Sequence, residues 1–345
     1  MNIGGFDFEN TASTFIIAEI SANHNQDIEV AKKTISEIKK TGANCVKLQT
    51  YTPDTLTIDS DKDDFKIKES IWEGKSLYNL YKEAFTPWEW HQELFSFAKN
   101  EGLICFSSPF DKTSVDLLEE LKAPAYKIAS FEINDIELIE YVASKRKPII
   151  LSTGVANFQD IKLAVETCRK AGNNEIILLK CTSSYPAPLE DANLKMIQKY
   201  SEDFNVITGL SDHTIGDICA IAAVSIGARV IEKHFILDRS MGGPDASFSM
   251  NPKEFYNMVT RIREVEKALG KIDYNLTENQ KKGKVFSRSL YVTKEIKKGE
   301  RFDNSNVRAI RPGFGLHPKE LKNIIGKISN QDIEKGERFS LKFIK

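Results

Sequence analysis

Three features of the sequence predict an α/β fold, a closed (β/α)8 barrel followed by a small second domain. Eight short apolar runs recur along the first part of the chain, helix-sized intervals separate most of them, and the texture changes after Gly270. Near-continuous apolar strands alternating with amphipathic helices mark a parallel sheet covered by helices. Eight such units point to a closed TIM barrel. The alternative is a doubly wound open sheet, whose first strand normally runs into a glycine-rich phosphate loop. Here the first strand runs into Glu-Ile-Ser-Ala-Asn-His.

The expected strands are residues 15–20, 45–49, 103–107, 126–130, 149–153, 176–181, 206–210 and 230–235. After the first, Ile28, Ala31, Ile35 and Ile38 form a helical stripe, and after the eighth Phe255, Val259, Ile262, Val265 and Leu269 form another. Helix starts are marked at Thr86-Pro87-Trp88-Glu89 and Asn251-Pro252-Lys253-Glu254. Each offers a cap residue, a proline for the first helical position and a glutamate for a capping box. The interval 50–86 is long, charged and aromatic. It is expected to form a loop with a short helix near residues 77–84, standing over the barrel mouth as a lid or substrate wall.

Residues 1–270 therefore read as the barrel, 271–284 as a polar connector and 285–345 as the small domain. Within the tail, Glu295-Ile-Lys-Lys-Gly-Glu-Arg-Phe302 is echoed by Asp332-Ile-Glu-Lys-Gly-Glu-Arg-Phe339, two copies of one strand-and-turn unit. A tail of this size has a thin core and is expected to lean on another surface.

Composition narrows the functional classes. With 41% hydrophobic residues, 28% charged residues and a formal net charge of -1, the chain can build a sizeable core and lacks the basic excess of a nucleic-acid binder. The first residues have neither a basic nor an apolar leader region, and the most apolar later stretch, 218–231, is broken by Gly227 and Arg229. Neither export nor membrane insertion is expected, so the chain is read as cytoplasmic. Five cysteines lie singly along the chain and are expected to be reduced packing residues, Cys181 included.

Active sites of such barrels are built at the carboxyl ends of the strands. The polar residues there are Glu19, Lys47, Gln49, Ser108, Lys127, Ser130, Glu132, Ser152, Ser183, Tyr185, Ser211, His213 and His234. Lys47 and Lys127 interrupt apolar strands, and a buried ammonium needs a compensating charge. A bound anion, cradled by Ser108, Ser130, Ser152 and Ser211, is the functional reading; pairing with a core glutamate is the alternative. His213 and His234 end consecutive strands, so their rings can meet. Two imidazoles with open positions suit a divalent ion that also takes oxygen ligands, such as Mn²⁺ or Fe²⁺. His24 is a weaker candidate, and His91, in a helix, reads as structural.

The order and spacing of IAEISANH, VKLQTY, SSPF, YKIASFE, LSTG, KCTSSYP, GLSDHT and VIEKHF resemble the sialic acid synthase family over nearly the whole length. The tail, with FSRSLY and RPGFGLHP, resembles the antifreeze-like SAF domain that these synthases carry. Within the family KIASFE, SSPF and GLHP are most similar to the pseudaminic acid synthases, while the segment 241–245 is closer to the general family form. N-acetylneuraminate synthases usually have glycine where Phe131 stands.

The resemblance implies a phosphoenolpyruvate-dependent condensation with a 2,4-diacetamido-2,4,6-trideoxy hexose, giving pseudaminic acid and phosphate. N-acetylneuraminate or legionaminic acid synthesis is the alternative. It implies phosphoenolpyruvate held by Lys47, Ser108, Lys127, Ser130, Ser152, Ser183 and Ser211, catalytic roles for Glu19 and Glu132, and a sugar site of Gln49, Tyr185, Asp245, Phe286 and Arg311. A divalent metal, Mn²⁺ foremost with Mg²⁺ or Co²⁺ possible, and a domain-exchanged homodimer are also implied. Two other readings stand beside it. One is a Schiff-base aldolase using Lys127 or Lys180; the other is a non-catalytic carbohydrate- or ice-binding protein.

Overall fold

The computed structural model describes residues 1–68 and 70–345. Eight parallel strands close a barrel: β1 (Phe15–Glu19), β2 (Cys45–Thr50), β3 (Ile104–Pro109), β4 (Tyr126–Ile128), β5 (Ile149–Ser152), β6 (Ile176–Cys181), β7 (Ile207–Asp212) and β8 (Val230–His234). Each strand pairs with its neighbours in sequence, and β8 closes the ring on β1. All eight expected strands are present. The fourth is shorter than expected, because a 3-10 turn, Ser130–Glu132, takes over at its end.

Strand alternation divides the core in two. Ile16, Ala18, Val46, Leu48, Tyr126 and Leu178 belong to a large cluster shared with the surrounding helices, whereas Phe15, Ile17, Cys45, Phe106, Ile150, Ile177 and Leu179 fill the barrel. A short N-terminal hairpin, Asn2–Ile3 with Phe6–Asp7, adds Ile3 and Phe8 to that inner cluster. The Phe6 and Phe15 rings lie 4.9 Å apart. Inside, therefore, the amino-terminal half is apolar and closed, and polar inward positions begin only further along each strand.

The helix Pro252–Leu269 begins as expected, with Asn251 and Glu254 forming a capping box around Pro252. The helix Trp88–Asn100 does not: Pro87 occupies the cap position and no side chain caps it. The Thr86 hydroxyl is instead 3.2 Å from Nε2 of His24, joining the loop after β1 to this helix. The interval 50–86 contains the helices Pro53–Leu56 and Leu77–Ala84, the latter capped by Ser76. All five cysteines are free and buried.

The chain forms two compact units, Met1–Gly270 and Lys271–Lys345. A helix, Glu278–Gly283, lies within the stretch read as connector. In the second unit β9 (Ser289–Val292) pairs antiparallel with β10 (Val307–Ile310). The repeated octapeptides face each other: Ile296 and Ile333 exchange both backbone hydrogen bonds, and the Phe302 and Phe339 rings meet edge-on at 4.9 Å. These four side chains belong to that unit's own core. Among the described residues no helix is long and apolar enough to cross a membrane.

The closed barrel leaves no room at one backbone position. A Cβ on Gly209 of β7 would stand 2.2 Å from the Val230 carbonyl oxygen and 2.9 Å from Cδ2 of Leu179. Gly209→Ala is expected to lower stability by about 1–3 kcal/mol through overpacking, measured as a reduced unfolding midpoint. An unchanged midpoint would contradict this account of how the barrel closes.

Candidate active site

Beyond the apolar half of the barrel the inward positions become charged. Glu19, Lys47, Lys127 and Glu232 are all at most 4% exposed. Nζ of Lys47 lies 2.8 Å from Oε2 of Glu19 and donates to Oε1 of Glu232 at 2.9 Å. Ser211 also donates to that glutamate oxygen, at 3.2 Å, and the Ser108 hydroxyl accepts from Lys47 at 3.4 Å. The charge expected beside Lys47 is thus supplied by the protein, as the core-glutamate alternative had it. Glu19 is fully buried, faces Lys47 and is not among the residues that line the cavity at the barrel mouth.

These carboxyls differ in character. Burial holds the Glu19 carboxyl well above its ordinary range, against the pull of Lys47. Burial would also raise Glu232, but Lys127 and Lys47 outweigh it and keep this group low. Lys127 has no carboxylate within ion-pair distance among the described residues; its ammonium donates to the Ile128 carbonyl at 3.1 Å. Burial pulls its pKa down to about 8, only partly offset by Glu232. An ammonium in that situation is suited to receiving an external anion.

A cradle of hydroxyls adjoins it on the next two strands. The Gly154 amide donates to the Ser130 hydroxyl at 3.1 Å, and a Cβ on Gly154 would stand 2.1 Å from Oγ of Ser183 and 2.8 Å from Oγ of Ser130. Glycine is required for this approach. The Ser152 and Ser183 hydroxyls are buried without a partner, as is Oε2 of Glu132. Buried polar groups in native proteins are nearly always satisfied, so three orphans in one place mark a binding site. Glu132 is carried by the turn after β4, and burial pushes it up to about 7.

Above the cradle a cavity of about 450 Å³ opens at the carboxyl ends of the strands. Gln49, Ser130, Glu132, Tyr185, His234 and Asp245 line it, so six of the expected residues converge there. Ser108, Lys127, Ser152, Ser183, Ser211 and His213 are not among its lining residues. Phe286 and Arg311 belong to the second unit, where both are exposed.

The His213 and His234 rings approach to 5.3 Å between centroids. Nδ1 of His213 faces the Thr182 carbonyl at 3.0 Å, which orients the ring and leaves Nε2 free. Burial holds His234 neutral, and its Nδ1 is an orphan 3.8 Å from Oδ2 of Asp245. This pair fits a divalent cation that takes its remaining ligands from substrate or water oxygens. No group of three or more protein ligands is assembled among the described residues. Burial disfavours the charged form of His213, but the Cys181 thiol and the Thr182 carbonyl outweigh it and raise its pKa.

The same two strands hold the histidines in place from the outside. Lys233 donates to Oδ2 of Asp212 and to the Thr214 carbonyl, both at 2.6 Å, and Oδ1 of Asp212 accepts from the Thr214 amide at 2.9 Å. This buried clamp ties the end of β7 to β8. Lys180 shares the outward parity: it donates to the Cys181 carbonyl at 2.6 Å and to the Thr182 hydroxyl at 3.1 Å. It is absent from the charged layer, which leaves Lys127 as the aldolase reading's one candidate of the two. Glu232, Trp72 and the clamp were missed in the sequence. Glu232 carried a usable signal, an acidic residue of inward parity two positions before His234 in an apolar strand.

The sequence model of the NeuB family matches residues 34–274, and that of the SAF domain matches residues 287–343. The chain is 48% identical to a pseudaminic acid synthase of Campylobacter jejuni over 98% of each chain. It is 49% identical to a pseudaminic acid synthase of Helicobacter pylori, covering 90% of this chain and 92% of the relative. Among solved structures, an N-acetylneuraminic acid synthetase of Leptospira borgpetersenii superposes with a TM-score of 0.71 at 32% identity, covering 82% of this chain and 92% of that one.

The buried ammonium of Lys127 has a cost that depends on pH. Its pKa falls from 10.5 to about 8 on folding, which at about 1.4 kcal/mol per tenfold change amounts to a penalty on the order of 3 kcal/mol at neutral pH. A lowered lysine pKa destabilises the fold below the folded value, and the penalty disappears as pH rises to the unfolded one. Lys127→Met is therefore expected to raise the unfolding midpoint of the ligand-free protein at pH 7, with the gain fading between pH 8 and 10.5. A midpoint lowered at pH 7 would contradict this environment.

Proposed function

The chain belongs to the NeuB family, and from that premise we propose that it is a synthase that condenses phosphoenolpyruvate with an open-chain amino-sugar aldehyde. The acceptor we infer is 2,4-diacetamido-2,4,6-trideoxy-β-L-altropyranose, and the products are pseudaminic acid and phosphate. The observation that carries the reading is Lys127, a buried ammonium without a carboxylate partner, set beside the orphaned hydroxyls of Ser152 and Ser183. That combination suits a small, multiply charged anion.

Lys127 and the hydroxyls of Ser130, Ser152 and Ser183 hold the donor's phosphate and carboxylate, with Ser108 and Ser211 behind them. Lys47 contributes its charge through the same layer. Glu19, whose carboxyl burial has already pushed upward, takes up a proton as negative charge enters and leaves Lys47 free to face the donor. Gln49, Tyr185 and Asp245 orient the acceptor. Carbon 3 of phosphoenolpyruvate attacks the aldehyde carbon, forming the new carbon–carbon bond and leaving cationic character at carbon 2. Glu132, poised at about 7, takes a proton from the water that adds at carbon 2. That proton passes to the alkoxide formed from the aldehyde oxygen, and cleavage of the bond between carbon 2 and the phosphate oxygen, with transfer of the remaining hydroxyl proton to the departing phosphate, leaves the keto group, whose oxygen comes from that water.

A divalent ion at His213 and His234, Mn²⁺ in first place and Mg²⁺ or Co²⁺ as alternatives, supplies Lewis-acid polarisation of the aldehyde when bound. Five buried thiols without a disulfide support a cytoplasmic location.

Phosphate release measured with phosphoenolpyruvate and a panel of amino sugars tests the reading. The 2,4-diacetamido-2,4,6-trideoxy sugar is expected to give the highest kcat/KM and N-acetylmannosamine a poor one. The reverse ranking would assign the chain to neuraminate synthesis. Labelling of Lys127 by borohydride in the presence of pyruvate would favour the aldolase reading instead.

We further infer a domain-exchanged homodimer in which Phe286 and Arg311 of one chain complete the sugar site of the other. Their exposure on a small separate unit supports this. Mixing inactive Lys127→Ala chains with inactive Arg311→Ala chains then yields heterodimers with one doubly damaged site and one intact site. Random pairing is expected to restore roughly one quarter of wild-type activity. No recovery after verified subunit exchange would exclude the shared site.

A further inference from the structure

The lid, residues 50–86, is rich in charge, with Asp59, Asp61, Lys62, Asp63, Asp64, Lys66 and Lys68 all exposed. None of these charges lines the cavity. Among the described residues the lid instead presents Leu56, Ile67, Trp72, Leu77, Leu80 and Ala84 to it, with Tyr51, Ser70 and Tyr81 as its hydroxyls. Polar groups come from the other side, from the strand ends and the loops next to them: Ser21, Gln49, Glu132, His234 and Asp245. The cavity thus takes its carboxyl, amide and imidazole groups from the barrel side, where Phe110 and Phe131 also line it, while Leu56, Ile67, Leu77, Leu80 and Ala84 make an apolar patch on the lid. The apolar wall is also anchored, because the Trp72 indole donates to the Pro244 carbonyl at 2.9 Å, next to Asp245, while its ring packs on Tyr185 at 5.6 Å.

We propose that the lid's apolar face selects the acceptor at its far end, by enclosing the 6-methyl group and disfavouring a 6-hydroxymethyl group. This rests on the synthase reading above. In that reading the aldehyde carbon must lie over the donor cradle, near Lys127, Glu132 and the two histidines. The opposite end of the sugar, carbons 4 to 6, then extends away from the strand ends and toward the lid. A methyl group there gains by burial, whereas a hydroxyl loses its water without finding a partner among Leu56, Ile67, Leu77 and Ala84. Apolar pockets discriminate against an added hydroxyl only moderately, by about tenfold to a hundredfold.

The test uses a matched pair of acceptors of the same configuration: the 2,4-diacetamido-2,4,6-trideoxy hexose and its 6-hydroxy counterpart. Wild-type protein is expected to favour the 6-deoxy sugar in kcat/KM by tenfold or more. Leu77→Asn and Ile67→Asn, made separately so that one misfolding variant does not decide the matter, each place an amide on the wall. Each should reduce that preference by roughly tenfold, acting on the acceptor KM and leaving the phosphoenolpyruvate KM unchanged. Turnover of both sugars with the wild-type preference retained in both variants overturns the inference and leaves the synthase reading intact. Turnover of neither sugar by the wild-type protein overturns the synthase reading, and the inference with it.

Discussion

Two lysines and two glutamates confined inside a closed barrel must satisfy one another or be satisfied by something that enters. Glu19, Lys47 and Glu232 pair their charges, through contacts of 2.8 and 2.9 Å, although Oε1 of Glu19 and Oε2 of Glu232 keep no hydrogen-bond partner. Lys127 is left to what enters, its ammonium bonded only to a backbone carbonyl at 3.1 Å. A buried charge without a partner is costly, and a protein keeps one only where a ligand supplies the missing half. The orphaned hydroxyls of Ser152 and Ser183 obey the same logic. Together they leave a buried positive charge and free hydroxyls side by side, which is the chemistry the proposed donor anion would complete.

Barrel architecture makes that arrangement possible. Alternation along each strand separates the inward series, Phe15, Ile17 and Glu19 or Val230, Glu232 and His234, from the outward series that packs on the helices. The floor is sealed by Ile3, Phe8 and Phe15, so the charged layer opens only toward the mouth. Outward residues still serve the site. The Asp212–Lys233 ion pair lies outside the barrel, yet it ties together the strand ends that carry His213 and His234. Function and stability are thus interleaved at single-residue spacing.

Much of this was legible in the sequence because it depends on period and parity. The eight apolar runs locate the strands, and strand-end placement brings Gln49, Ser130, Glu132 and His234 to one cavity, where Tyr185 and Asp245, whose sugar roles only the family resemblance implied, join them. Pairings across distant parts of the chain were not legible. Lys47 meets Glu232 across 185 positions, and nothing local distinguishes that partner from a bound anion. Thr86 reads as a helix cap but binds His24 instead, a tertiary contact overriding a local signal. Trp72 looked like one more aromatic in a charged loop, and only its contacts with Pro244 and Tyr185 give it a role.

The account turns on Lys127 being an ammonium that waits for an anion. Its titration can be followed directly by NMR of protein carrying isotope-labelled lysine, with and without phosphoenolpyruvate. In the free protein the Lys127 resonance should titrate near 8, and saturating donor should move its midpoint upward, because the bound anion favours the charged form. A Lys127 that titrates at its ordinary value in the free protein, or whose midpoint is unmoved by the donor, would contradict the account.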